Sequence, residues 1–175
     1  MKRLEKKDWF ISGFSILENE GFSKITIDNL CNILNVTKGS FYHHFGNMDG
    51  YIEGLMKYWV GEYTTSFIQK TEKHKTPIQK YKVITGMVMQ APYKVEQAVR
   101  AWSYSNSIVK EYVQKVDKTR LNYITSLKKK AGKDDEEARH SAILEYAILI
   151  GIQQLYPDMS KEELAKVYAK YSFDI

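Results

Sequence analysis

A short polar segment near the N-terminus carries side chains suited to binding phosphate groups and nucleotide bases. Thr37, Lys38 and Ser40 lie within four consecutive residues, and His43 and His44 follow about one helical turn later. Hydroxyl, ammonium and imidazole groups donate hydrogen bonds to phosphate oxygens and to base edges. We expect no metal site here, because adjacent histidines on a helix diverge by about 100°.

Two phenylalanines divide this segment into two helical faces. At about 100° per residue, Phe41 and Phe45 share one side of a helix, and Gly39, Ser40 and His43 lie on the opposite side. Tyr42 and His44 lie on the flanks, and Lys38 can still reach outward on its long stem. A glycine costs a helix roughly 1 kcal/mol relative to alanine, but it removes bulk where the first turn could approach a phosphate or a base.

The elements that must position this segment are two short helices joined by a tight turn. Thr26 is expected to cap the first helix and Thr37 to cap the second, since threonine hydroxyls satisfy free backbone amides. The first helix of this pair ends near Leu34, and Asn35 follows in the turn, where asparagine tolerates the left-handed conformation. Such a pair is a helix-turn-helix, whose second helix can enter the major groove of DNA.

The rest of the chain predicts an all-α protein, a three-helix head followed by a helical bundle. The 175 residues include only 3 prolines and 10 glycines, and no segment shows strand alternation. A first helix is expected over residues 4–19, and a fourth over 47–73 with Asn47 as its cap. Further helices are predicted over 76–90, over 93–131 with a break near Asn106, and over 135–155. The last is expected to begin after a capping box at Ser160.

Composition limits the classes of function. The single cysteine, Cys31, excludes a disulfide within the chain and fits a reducing cytoplasm. The longest apolar run, Tyr146–Ile152, is far shorter than the roughly 20 residues that cross a membrane. No glycine-rich phosphate loop, nucleophile elbow or zinc-protease motif is present, so we expect neither an enzyme nor a bound cofactor or metal.

Net charge permits DNA binding but does not locate it. The chain carries +5 with a pI near 9.0, yet acidic and basic side chains balance over residues 1–60. Binding by the N-terminal part must therefore depend on the arrangement of its side chains.

The motifs around this segment strongly resemble the DNA-binding domain of TetR-family transcriptional regulators. The resemblance spans about residues 8–58 and rests on Gly21-Phe-Ser-Lys-Ile-Thr-Ile27 and on Val36-Thr-Lys-Gly-Ser-Phe-Tyr-His-His-Phe45. It implies phosphate contacts from Thr26, Thr37, Lys38, Tyr42 and His44. It implies base or groove contacts from Gly39, Ser40 and His43. Met48 departs from the family pattern, because it replaces a phosphate-binding lysine.

A looser resemblance extends to residues 98–102 and 116–121. It implies a DNA-binding domain over residues 1–47 and a ligand-binding and dimerisation domain over 48–175. The aromatic side chains of Trp59, Tyr63, Phe67 and Trp102 suit either a hydrophobic core or a pocket for a flat, partly apolar molecule. We take Tyr63, Phe67 and Trp102 as the candidate ligand contacts.

The last two helices are expected to form a homodimer. Residues 142–152 are apolar almost all round, which predicts burial on both sides, and Ala147 and Gly151 would allow close approach. Leu164, Val167, Tyr168 and Tyr171 give the final helix a matching stripe. Glu145 is either exposed or paired, and Lys128 with its two neighbouring lysines is expected to be a solvated helix end.

Together with these features, the resemblance to TetR-family regulators implies a bacterial, homodimeric DNA-binding regulator, a repressor released from its operator by a small-molecule effector. The alternative is a helical small-molecule binding protein whose head no longer binds an operator. The missing lysine and the neutral head give that alternative some weight.

Overall fold

The computed structural model describes residues 4–171, and that part of the chain is helical and contains no β-strand. A 3₁₀ turn over Phe22–Lys24 follows the first helix, and a π-helical segment over Gly61–Thr65 joins the fourth helix to the fifth. The α-helices are α1 (Lys6–Asn19), α2 (Ile27–Leu34), α3 (Lys38–Phe45), α4 (Met48–Val60), α5 (Ser66–Thr71), α6 (Pro77–Gln90), α7 (Tyr93–Ser103), α8 (Ser107–Lys130), α9 (Asp135–Leu155) and α10 (Lys161–Tyr171).

Side-chain caps fix where five of these ten described helices begin. Thr26, Asn47, Thr76, Asp134 and Ser160 each accept a hydrogen bond from the backbone amide three residues later, at 2.8–3.2 Å. Each bond satisfies one of the amides that have no partner within the first turn of a helix. The predicted starts of α2, α4, α6, α9 and α10 are thereby confirmed.

The described residues up to Gly61, together with Lys94–Gln114, form the first of two compact units. Its core is aromatic: Trp9, Phe41 and Tyr51 have no exposed surface. The Tyr51 hydroxyl donates a hydrogen bond to the carbonyl of Trp9 at 3.0 Å, which satisfies the buried phenol. This core joins α1, α3 and α4.

The second unit contains Glu62–Tyr93 and the described residues from Lys115 onward. Met89, Leu149, Leu164 and Tyr168 form a buried apolar cluster between α6, α9 and α10. Leu164 and Tyr168 are thus buried within their own chain, and the expectation that they face a partner is wrong for these two side chains. The side chain of Tyr171 lies outside the described residues. The predicted functional boundary after residue 47 stays a prediction.

The predicted fourth helix is interrupted by the π-helical segment, which the sequence did not indicate. Thr64 in this segment is buried, and its hydroxyl oxygen accepts a hydrogen bond from Nε of Arg120 at 3.0 Å. Arg120 also donates to the Tyr63 carbonyl at 3.4 Å and to the Tyr146 hydroxyl at 3.3 Å. Tyr146 in turn donates to Asp117 at 2.7 Å. Polar side chains of α8 and α9 therefore stabilise the π-helical segment.

Candidate nucleic-acid interface

The turn between α2 and α3 has the predicted left-handed asparagine. Asn35 has φ 53° and ψ 52°, a conformation that few residues other than glycine and asparagine adopt without cost. The amide of Val36 donates to the Cys31 carbonyl at 3.0 Å, which closes the end of α2. Only three residues separate the end of α2 from the start of α3, as in a helix-turn-helix.

An aromatic anchor fixes the orientation of α3. Phe41 has no exposed surface, and its ring meets the edge of Trp9 at a centroid distance of 5.6 Å. Phe45 packs edge-on against Tyr51 at 5.0 Å. Gly46 ends the helix at φ 75°, where glycine is the residue with least steric cost. One side of α3 therefore packs into the core of the first unit.

The opposite side of α3 is open to solvent, as the sequence predicts. Gly39 and His43 are exposed, Ser40 is half-buried, and Tyr42 is 50% exposed. A Cβ added at Gly39 would meet only the Thr37 hydroxyl, at 3.6 Å. The protein's own packing therefore does not require a glycine at this position. An external surface that approaches closely would account for it.

The two threonines at the helix starts differ. The Thr26 hydroxyl oxygen caps α2 by accepting from the amide of Asn29 at 3.1 Å. Thr37 has the N-cap backbone conformation, but its side chain makes no capping hydrogen bond, so the prediction of a side-chain cap there is wrong. The Thr37 hydroxyl is exposed at the first turn of α3, beside backbone amides that lack helical partners.

Lys38 is exposed, but it is already paired. Its ammonium lies 2.5 Å from Oδ1 of Asp28, with the two side chains 61% and 68% exposed. The hydrogen bond to Asp28 raises the pKa of Lys38 above its ordinary value. The resemblance implied a phosphate contact for Lys38, and nothing in the sequence analysis predicted its pairing with Asp28. Opposite charges in the first turns of the two helices were the only signal for it.

His44 lies toward the core side of α3. Its ring meets Trp9 at a centroid distance of 6.0 Å, and the side chain is half-buried. At the start of α4, the Asn47 side chain caps the helix by accepting from the amide of Gly50 at 2.8 Å. The oxygen of Asn47 is therefore occupied at the position next to Met48, where the resemblance places a lysine.

The candidate ligand contacts are distributed over both units. Trp102 lies in the first unit, where it is buried and its indole stacks on Phe22 at 6.3 Å with an interplanar angle of 8°. Tyr63 and Phe67 lie in the second unit and form an edge-to-face pair at 6.4 Å. Trp59 is buried in the first unit. The ligand role of Tyr63, Phe67 and Trp102 stays a prediction.

The second unit contains a buried charge pair that the sequence did not indicate. Lys128 has no exposed surface, so its interpretation as part of a solvated helix end is wrong. Its ammonium lies 2.9 Å from Oε2 of Glu145, which settles the alternative left open for that carboxylate. Oε1 of Glu145 accepts hydrogen bonds from Tyr81 at 2.6 Å and from Tyr168 at 2.7 Å. Burial and the adjacent carboxylate raise the pKa of both phenols.

Within residues 4–171, no group of three or more histidine, cysteine or acidic side chains has an arrangement that could hold a metal ion. Over the same range, no helix is both long and apolar enough to span a bilayer. Cys31 is a buried free thiol, and burial raises its pKa, so it is poorly suited to act as a nucleophile.

Comparison with known proteins finds a family match for the helix-turn-helix segment. Residues 13–53 match the family described as bacterial regulatory proteins, tetR family. The predicted resemblance is thereby confirmed. No curated protein matches the chain closely enough to add to this.

Solved structures extend the similarity to nearly the whole chain. A TetR transcriptional regulator from Legionella pneumophila has a TM-score of 0.78 at 10% identity, covering 98% of this chain and 97% of that one. The fatty acid degradation regulator FadR from Bacillus halodurans has a TM-score of 0.73 at 16% identity, covering 98% and 95%. A proposed transcriptional regulator from Saccharomonospora viridis, in complex with choline, has a TM-score of 0.75 at 14% identity, covering 95% and 94%. The chain thus has the all-α fold of TetR-family transcriptional regulators.

Proposed function

We propose that the chain is a sequence-specific DNA-binding regulator that acts as a homodimer in the bacterial cytoplasm. The single observation that carries this proposal is the exposed polar face of α3. That face lies opposite the fully buried Phe41, so the aromatic anchor sets its direction. It presents hydroxyl and imidazole groups and a glycine, which suits close approach to the floor of a major groove.

The proposed contacts divide into two kinds. Thr26, Thr37, Lys38, Tyr42 and His44 bind phosphates and fix the position of the head on the duplex. Gly39, Ser40 and His43 lie closest to the base edges and carry sequence preference. The start of α3 adds backbone amides that favour a phosphate.

A homodimer would place two such heads on one operator. The surface that supports it is an apolar stripe along α9, formed by Leu144, Ala147, Gly151 and Leu155. Leu144 is 55% exposed and Leu155 is 75% exposed, and nothing lies within 4 Å of a Cβ added at Gly151. Because side chains three or four residues apart share a helix face, the stripe is continuous. Two heads about one DNA turn apart, roughly 34–36 Å, would bind a palindrome.

We further propose that the regulator is a repressor and that a small molecule releases it. The neighbour in complex with choline and the regulator of fatty acid degradation support control by a small metabolite. Tyr63, Phe67 and Trp102 are the proposed contacts. A ligand that binds one conformation of the body more tightly shifts the population toward that conformation.

The direct test is binding to DNA from upstream of the protein's own gene, with a shuffled duplex of equal length as the control. Fluorescence anisotropy would be measured over a series of salt concentrations. The regulator should prefer the upstream duplex by at least about a thousandfold, with affinity that falls steeply with salt. Equal affinity for both duplexes would favour the alternative, a small-molecule binding protein without an operator.

A further inference from the structure

An ion pair joins the first turns of the two helices in the helix-turn-helix. Asp28 lies in the first turn of α2, and Lys38 is the first residue of α3. Oδ1 of Asp28 lies 2.5 Å from the Lys38 ammonium, and both side chains are more than half exposed. Neither is needed to fill the core.

The pair changes what the head offers to DNA. Lys38 is the only lysine or arginine between Thr26 and Phe45, and Asp28 cancels its charge. A phosphate gains the full charge of the Lys38 ammonium only when the carboxylate no longer neutralises it. Exposed ion pairs are weak in water, so a phosphate held in the right place can make this exchange. A phosphate that is held loosely gains too little to do so.

An operator and DNA of random sequence differ in how firmly they hold the phosphates near Lys38. On an operator, base contacts from α3 hold the head close to the duplex, and the neighbouring phosphates have fixed positions. On random DNA, the contacts are electrostatic and the head is not held in one register. Exchange of Lys38 from Asp28 to phosphate is therefore favoured in the first complex and not in the second.

We propose that Asp28 increases the specificity of the head for its operator over random DNA. Its carboxylate stays paired with Lys38 on random DNA, whereas on the operator Lys38 leaves it and binds a phosphate. This inference rests on the proposed DNA-binding function. Asp28 acts through Lys38, so it is a positioning residue. Its effect is to lower non-specific affinity while leaving one phosphate contact available to the correct site.

The test uses two duplexes and the full chain. One duplex is enriched from a random library by the wild-type protein, and the other is its shuffled sequence. The variants are Asp28→Asn, Lys38→Met, the double variant, and Asp28→Glu, which retains the charge. The dissociation constant of each is measured against salt concentration, and thermal unfolding confirms that each is folded.

Asp28→Asn should change the affinity for the shuffled duplex and the dependence of that affinity on salt. The slope of log affinity against log salt should steepen by about one unit, and affinity at 0.1 M salt should rise roughly tenfold. On the enriched duplex the slope should stay unchanged, because Lys38 already contacts phosphate there. Lys38→Met should do the reverse and flatten the slope by about one unit on the enriched duplex alone. The double variant should behave like Lys38→Met, and Asp28→Glu should restore the wild-type preference.

Two outcomes would overturn the proposal without touching the proposed function. Asp28→Asn could weaken binding to both duplexes, which would make the pair a structural brace for α3. It could also change both slopes equally, which would remove any role in discrimination. A wild-type protein that does not prefer the enriched duplex would instead overturn the proposed function itself.

Discussion

The ammonium of Lys128 lies 2.9 Å from the carboxylate of Glu145, and neither side chain reaches solvent. Two phenols, Tyr81 and Tyr168, complete the environment of the carboxylate. The four residues belong to α8, α9, α6 and α10, so one buried network joins four helices of the second unit. Buried ion pairs add little net stability over an apolar core, but removing one partner leaves an uncompensated charge.

Lys128→Met should therefore be strongly destabilising. We expect a loss of about 3–5 kcal/mol in the free energy of unfolding, because Glu145 loses its counter-charge. Lys128→Met combined with Glu145→Leu should recover most of that loss, since no buried charge remains. Urea unfolding of the single and double variants measures both effects.

Lys129→Met provides the matched control for this experiment. The Lys129 ammonium pairs with Asp135 at 2.7 Å, but that lysine is 46% exposed. Its removal should change stability by no more than about 1 kcal/mol. If the double variant is as unstable as Lys128→Met alone, burial of the charge is not the cause of the loss.

Local features of this fold could be predicted from the sequence, and tertiary pairings could not. The caps at Thr26 and Asn47 and the left-handed Asn35 depend on a few neighbouring residues, so composition and spacing indicated them correctly. Lys128 stands in a run of three lysines, and nothing in that run distinguishes the one that points into the core. Its partner is 17 residues away on another helix, which only the packing of α8 against α9 determines.

The candidate site shows the same division. The two faces of α3 followed from the spacing of Phe41 and Phe45, and the structure confirms the buried anchor and the exposed polar side. The pairing of Lys38 with Asp28 depends on how α2 and α3 cross, so the sequence missed it. The missing side-chain cap at Thr37 likewise depends on one rotamer, which residue type does not determine.

Gly39→Ala should separate stability from DNA binding. The added methyl group meets no atom closer than 3.6 Å, so the variant should gain about 0.5–1 kcal/mol in stability from the helix preference of alanine. On its operator it should lose about tenfold or more in affinity, as expected when a base contact is obstructed. Thermal unfolding and anisotropy measure the two effects.

Gly86→Ala is the control for that change. Gly86 lies inside α6, and nothing lies within 4 Å of an added Cβ. It should gain similar stability with no change in DNA affinity. If Gly39→Ala binds the operator as tightly as the wild type does, the first turn of α3 does not approach the duplex closely.

Leu144→Gln should weaken the proposed dimer without unfolding the chain. Leu144 is 55% exposed, so a polar residue there costs the folded subunit little. If α9 forms the interface, the dimer dissociation constant should rise at least about tenfold, as for a buried apolar contact at an interface. Sedimentation velocity over a concentration series measures it. Ile78→Gln, at a position that is 50% exposed at the start of α6, should leave the association unchanged, and equal effects of the two variants would exclude α9 as the specific interface.

The stack of Trp102 on Phe22 predicts an energetic link between α7 and the turn that precedes α2. The rings are nearly parallel at 8°, and such pairs contribute about 0.5–1.5 kcal/mol beyond burial. A double-mutant cycle with Phe22→Leu and Trp102→Leu should give a coupling energy in that range. Urea unfolding supplies the four free energies. A coupling indistinguishable from zero would mean that the two side chains contribute to stability independently.

Tyr51 predicts a loss of stability at alkaline pH. Burial raises the pKa of its phenol far above the ordinary value, so the folded chain keeps a proton that the unfolded chain releases above about pH 10. The unfolded state then binds fewer protons, and stability falls as pH rises, by up to about 1.4 kcal/mol per pH unit for each such group. Tyr81 and Tyr168 add to the fall, since their pKa values are also raised.

Tyr51→Phe isolates one share of that pH dependence. At neutral pH the variant should lose about 1 kcal/mol, because the hydrogen bond from the Tyr51 hydroxyl to the Trp9 carbonyl is gone. Between pH 9 and pH 11, about one unit either side of the ordinary tyrosine pKa, its stability should fall less than that of the wild type. Urea unfolding across this interval measures both slopes, and Tyr104→Phe, at a position that is 93% exposed, should follow the wild-type slope. If Tyr51→Phe also follows it, the buried phenol does not release its proton on unfolding, and the alkaline loss has another origin.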